Sequence, residues 1–189
     1  MRIKFWGVRG STPTPERRNS RYGGNTCCLE IRLANGTIIV LDCGSGLRAL
    51  GKSLLHEFGE HPIHGYVFMT HFHWDHIQGI PFFGPLYRKG NVFLFHSVLR
   101  KGLELRAAVE GQMVNPYFPV DMSAMGAVRH FFDLDERPTL VHPCLPGELR
   151  GSDGRSEGWM LALLIVIAFI LMRVRWHWAN SLPDTSMNR

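Results

Sequence analysis

The chain has 189 residues, 45% of them hydrophobic, which fits one globular domain with a core of its own. Its four cysteines (Cys27, Cys28, Cys43 and Cys144) show no CxxC spacing, and neighbours such as Cys27 and Cys28 rarely bridge each other. That pattern argues against a disulfide framework and for a reduced, cytoplasmic setting. The net charge of +5 is concentrated: Arg2, Lys4, Arg9, Arg17, Arg18 and Arg21 against Glu16 account for its equivalent in the first 22 residues. A basic stretch near a metal site would suit a phosphate-bearing substrate, while a solvated loop is the plainer account of Arg17 and Arg18.

Residues 2–8 read as a strand whose polar start, Arg2-Ile3-Lys4, gives no expectation of a signal peptide. Gly10-Ser11-Thr12-Pro13-Thr14-Pro15 breaks it, because proline cannot pair in a ladder. Cys27, Leu29, Ile31 and Leu33 alternate with Cys28, Glu30 and Arg32, the period of a half-buried strand. Asn35-Gly36 is a hairpin signal, and Thr37–Leu41 is an apolar strand behind it. Leu47, Leu50, Leu54, Leu55 and Phe58 share one helical face, so Ser45–Phe58 is expected to be a helix ended by Gly59. Asp42, at the end of a strand and before Gly44-Ser45-Gly46, is a candidate helix cap.

Gly65–Thr70 reads as the next strand and delivers the densest group of donors in the chain, His71-Phe72-His73-Trp74-Asp75-His76. The spacing lets alternate side chains converge on one point while Asp75 and His76 face a second. Imidazole and carboxylate suit Zn²⁺, Mn²⁺ or Fe. The remaining histidines (His56, His61, His64, His96, His130 and His177) carry no such spacing and read as surface or core residues. Gly79, Pro81, Gly84 and Pro85 leave room for only a short helical turn, and Phe82 and Phe83 read as core or pocket wall. Asn91–His96 is a further strand, Ser97 a candidate cap for a helix to about Met113, and Arg129–Asp135 a last strand. Asn115-Pro116-Tyr117-Phe118-Pro119 is an aromatic loop, either the border of a cleft or an apolar plug. Together these elements make a mixed α/β layer arrangement.

The donor run resembles the signature loop of the metallo-β-lactamase fold hydrolases. The similarity extends through Phe5–Pro13, Tyr22–Thr26, Leu41–Gly46 and Pro116–Val120, and covers about residues 1–137. Within that family it is similar to the branch of phosphodiesterases and cyclic-phosphate hydrolases, related to the transfer-RNA 3′-end endonucleases. The resemblance implies the N-terminal half of an αββα sandwich. It implies a two-metal site, zinc first and manganese or iron as alternatives, with His71 and His73 on one ion and Asp75 and His76 on the other. Asp75 would also help orient the attacking hydroxide. Asp42 would orient the ligating imidazoles from behind. The substrate implied is a small phosphodiester or a nucleotide.

After Arg137 the resemblance ends. His142-Pro143 mimics part of a family ligand segment but lacks its setting, so His142 is a weak further metal candidate. Residues 138–158 read as a linker, rich in Gly, Ser and charge from Gly147 to Gly158, with Asp153 inside it. Trp159–Met172 is an uninterrupted apolar run inside a helical tail, 159–178, and 179–189 is expected to be a disordered end. Such a composition suggests a truncated or frameshifted form with impaired activity. It leaves a non-catalytic metal-binding remnant or a membrane-tethered, membrane-associated fragment as alternatives. The missing half-sandwich would also uncover Leu29, Ile31, Ile39 and Val67 and favour self-association.

Overall fold

The computed structural model describes residues 1–98 and 104–134. The tail 159–178, the linker with Asp153, and His142 lie outside the described residues.

Six strands form one sheet in the order of the sequence: β1 (Arg2–Gly7), β2 (Cys28–Arg32), β3 (Ile38–Leu41), β4 (His64–Met69), β5 (Val92–Val98) and β6 (Val128–Leu134). The first three pair antiparallel and β3 to β6 pair parallel. The β2–β3 turn follows from Asn35-Gly36: Gly36 takes φ +89°, and the Asn35 side chain accepts the Thr37 N–H at 2.9 Å. The fold is thus mixed α/β, with α1 (Gly46–Phe58), α2 (Trp74–Ile77) and α3 (Leu105–Glu110) between strands.

The main core lies on the face that α1 covers. Val40, Val67, Met69, Phe93 and Phe95 meet Leu47, Leu50 and Leu54, with Ile80, Phe83 and Leu86 closing one side. Each of those α1 leucines is at most 1% exposed, a burial that stabilises by about 1.5–3 kcal/mol per side chain. At the β2 end of this face sits an ion cluster: Glu30, 3% exposed, accepts from Arg32 Nε at 2.5 Å and from Trp6 Nε1 at 2.7 Å, while Arg32 Nη2 reaches Glu57 at 2.9 Å.

Two expectations are corrected here. Val40 pairs with Val67 and Ile39 with Tyr66, so Val67 shares the α1 face and not that of Ile31 and Ile39. Ile31 and Ile39 are themselves buried, so the four residues do not form an exposed patch. The large hydrophobic residues that this second face exposes lie on the two edge strands, at Ile3 and Phe5 in β1 and at Val128 in β6. Ser97 does not cap a helix: it lies in β5, paired with Met69 on one side and Asp133 on the other, and α3 begins only at Leu105. Among the described residues no helix is long and apolar enough to cross a membrane.

Candidate metal centre

The donor loop leaves the carboxyl end of β4, beside the carboxyl end of β3, where parallel α/β sheets commonly place their ligands. Two loops are clamped together there. Cys43 N–H donates to His76 O at 2.7 Å and Gly79 N–H donates to Cys43 O at 2.8 Å. The approach is so close that a Cβ on Gly79 would stand 2.1 Å from Gly44 O, and one on Gly44 2.4 Å from Asp75 O. Glycine at both positions is a requirement of that contact.

Asp42 is the hub. It is fully buried and takes φ +58°, a left-handed conformation that aspartate tolerates better than most side chains. Its Oδ1 accepts the Thr70 N–H at 2.9 Å, its Oδ2 meets His76 Nδ1 at 2.8 Å, and the Thr70 hydroxyl donates to the same carboxylate. Its acceptors are thereby committed to the donor loop, and the N-cap of α1 is Ser45. The single Thr70 hydroxyl proton goes to Asp42, so at 3.0 Å from His71 Nδ1 that oxygen accepts. His71 therefore carries its proton on Nδ1 and presents the Nε2 lone pair.

The four loop residues lie together. The His71 ring is 4.4 Å from that of His73 and 4.0 Å from that of His76, and His76 Nε2 is 3.3 Å from Asp75 Oδ2. Asp75 Oδ2 also accepts the backbone N–H of Ser11 at 2.8 Å, across 64 residues of sequence. Burial, with the charges of His76 and His73, lowers the pKa of His71 to about 4, so it is neutral near pH 7. Burial also pulls on His76 in that direction, but the hydrogen bond and charge of Asp42, with Asp75, outweigh it and raise its pKa.

Donor chemistry and tautomers fit a divalent ion. Number is where the site falls short: among the described residues no group of three or more His, Cys, Asp or Glu side chains is arranged to hold one. His73 is exposed and Asp75 and His76 are buried, so the loop presents its donors at different depths. Three contributors were not singled out from sequence. These are Thr70, whose hydroxyl links Asp42 to His71; Ser11, at φ +62°; and Thr26, whose hydroxyl joins Ser45 N at 2.8 Å to Gln78 Nε2 at 3.3 Å. Ser11 lay in the Gly10–Pro15 break and in the similar stretch Phe5–Pro13, and Thr26 in the stretch Tyr22–Thr26, but neither pattern assigns these residues a contact. The neighbouring aromatics divide: Phe83 is core, whereas Phe82 is exposed and packs edge-to-face on Phe118 at 5.8 Å.

At the level of family, the chain resembles the metallo-β-lactamase fold hydrolases. The chain is 24% identical over 130 residues to Ribonuclease Z of Haloarcula marismortui (strain ATCC 43049 / DSM 3752 / JCM 8966 / VKM B-1809). That stretch is 67% of this chain and 38% of the relative, so the chain spans well under half of that protein. No family model matches the chain.

Proposed function

We propose that the chain carries the N-terminal metal-binding portion of a phosphodiester hydrolase of the metallo-β-lactamase fold, in the phosphodiesterase-like branch. The observation that carries this reading is the Asp42 carboxylate bonded at once to Thr70 and to His76 Nδ1, which leaves His76 Nε2 facing Asp75. The likeness to a ribonuclease, whose substrates are phosphodiesters, supports the substrate class.

His71 and His73 would hold one ion and Asp75 with His76 the second, zinc being the first choice for these donors. An ion held there supplies Lewis-acid polarisation of phosphoryl oxygens. The chain's own groups do the rest. Asp42 fixes the His76 ring and its tautomer, Thr70 does the same for His71, and the Ser11 N–H holds the Asp75 carboxylate. Two donors per ion are fewer than the three of a catalytic zinc site, so weak metal binding and slow turnover are expected of this chain alone. A second reading, a metal-binding protein without turnover, is favoured by the same shortage of donors.

The test is Zn²⁺ titration against a competing chelator, with hydrolysis of bis(p-nitrophenyl) phosphate followed in parallel. Zinc uptake lost in His71→Ala and His73→Ala, with metal-dependent turnover lost in Asp75→Ala, supports the hydrolase. Uptake without turnover selects the second reading. No zinc uptake overturns both.

A further inference from the structure

Strand β1 lies at an edge of the sheet: it pairs with β2 on one side, and among the described residues no strand pairs with its other side. Such an edge presents a row of backbone N–H and C=O groups that a further strand can complete. Met1 to Phe5 are exposed without a break, which leaves this length of the edge open to solvent. The regular ladder with β2 runs from Arg2 to Phe5 before its register shifts.

Side chains alternate along this edge. Arg2 and Lys4 stand on one face, in register with Arg32 and Glu30, and Ile3 and Phe5 stand on the other, in register with Ile31 and Leu29. Phe5 is 66% exposed and Ile3 44%. The two cations are not neutralised. Glu30, the cross-strand neighbour of Lys4, already accepts from Arg32 Nε and from Trp6 Nε1, and the Lys4 ammonium lies 3.7 Å over the Trp6 ring. Among the described residues neither Arg2 nor Lys4 forms an ion pair.

Charged side chains on an edge deter pairing with another chain. That accounts for Arg2 and Lys4, but not for the exposed apolar side chains that alternate with them. A period of two, cation then apolar, also acts as a template. The strand that completes it carries a carboxylate opposite each cation and an apolar side chain opposite Ile3 and Phe5. A second copy of β1 meets the opposite condition: any alignment that joins the apolar side chains also sets cation against cation.

We propose that the free edge of β1 docks an extended segment of a partner protein in which acidic and apolar residues alternate, added antiparallel as a further strand of the sheet. Main-chain hydrogen bonds supply the affinity, Arg2 and Lys4 select the charge, and Ile3 and Phe5 select the apolar positions. The surface is independent of the hydrolase reading, because β1 contributes none of the four loop donors.

The probe is a fluorescein-labelled peptide of about seven residues, an ordinary strand length, in which valine and glutamate alternate. Anisotropy with the full chain compares it with two controls. One has the same composition with valines and glutamates in separate blocks, and the other carries lysine in place of glutamate. Wild type should bind the alternating acidic peptide and neither control. R2E/K4E should bind that peptide about tenfold more weakly and should gain affinity for the lysine peptide, a reversal that an unfolded variant would not show. I3T/F5T keeps strand propensity and should weaken binding without changing the preferred charge. Bound peptide should slow amide hydrogen exchange across residues 2–5, as a completed ladder requires. No binding of the acidic peptide, equal binding of the alternating and blocked peptides, or an affinity that R2E/K4E leaves unchanged overturns the proposal. A dimer in sedimentation velocity that excludes the peptide and that I3T/F5T dissolves gives the edge to a second copy and overturns it as well.

Discussion

The carboxylate of Asp42 and the imidazole of His76, 34 residues apart in sequence, meet at 2.8 Å in a buried contact that also recruits Thr70. Aspartate there does two jobs: it supplies the charge, and its backbone accepts φ +58°. Asparagine keeps the second property and loses the first. Asp42→Asn is therefore expected to weaken Zn²⁺ binding about 10- to 100-fold, the usual effect of removing a partner that orients a ligand, with little loss of stability from the backbone. Asp42→Ala should show the same loss of affinity and an added destabilisation of about 1–2 kcal/mol, because alanine resists the left-handed conformation. Calorimetric zinc titration and urea melts of the two variants check both halves. Equal zinc affinity in Asp42→Asn and wild type would remove the aspartate from the site.

Gly79→Ala tests the clamp between the two loops. A methyl group 2.1 Å from Gly44 O cannot be absorbed by a side-chain rotation, since the obstacle is backbone. The loops must part, at a cost of about 1–3 kcal/mol in the range for overpacked sites. Parting them moves Asp75 and His76 away from Asp42, so stability and zinc affinity should fall together. A variant that loses neither shows that the two backbones are not in contact.

Arg32 is the neutralising partner of Glu30, whose other contact is the Trp6 indole N–H. Arg32→Ala leaves a buried carboxylate without its cation, and such breaks cost about 3–5 kcal/mol. Replacing Glu30 by glutamine in the same chain should recover part of that loss. A double-mutant cycle in urea measures it, and strict additivity of the two changes would deny the coupling.

Cys28 and Cys43 are buried thiols, and burial raises both well above the ordinary value of 9.0, helped by the charge of Asp42 at each. A group whose folded pKa is raised contributes stability that is complete below its unfolded value and is lost as pH climbs toward the folded one. The fold should thus weaken increasingly above about pH 9, where the unfolded thiols ionise first. Alkaline unfolding followed by circular dichroism should show a shallower pH dependence in Cys28→Ala than in wild type. An identical pH dependence would mean that Cys28 is open to solvent.

Much of the architecture was legible because it is written in local patterns. Alternation located β2, the Asn35-Gly36 turn fixed the following strand, and the leucine stripe marked α1. Ser97 was misread because a serine before a mixed stretch is a cap signal only when no neighbouring strand claims it; here β4 and β6 claim it from both sides. Val67 was assigned to the wrong face because parity within one strand says nothing of its neighbour's register, which the Val40–Val67 pairing sets. The donors themselves stood out by spacing, His71 to His76 lying in one short run. Ser11 did not, because what it offers Asp75 is a backbone N–H that any residue type possesses.

The strand order has a consequence for how the molecule is made. Each strand from β2 to β6 pairs with the one translated immediately before it, so none waits for a later segment to supply its neighbour. The sheet can grow outward from β1 as the chain leaves the ribosome, each added strand covering the open edge left by the last. Asp42 stands ready at the end of β3, and only 34 further residues are needed to bring His76 to it. The donor cluster is thus specified within a short interval of synthesis, before β5 and β6 exist.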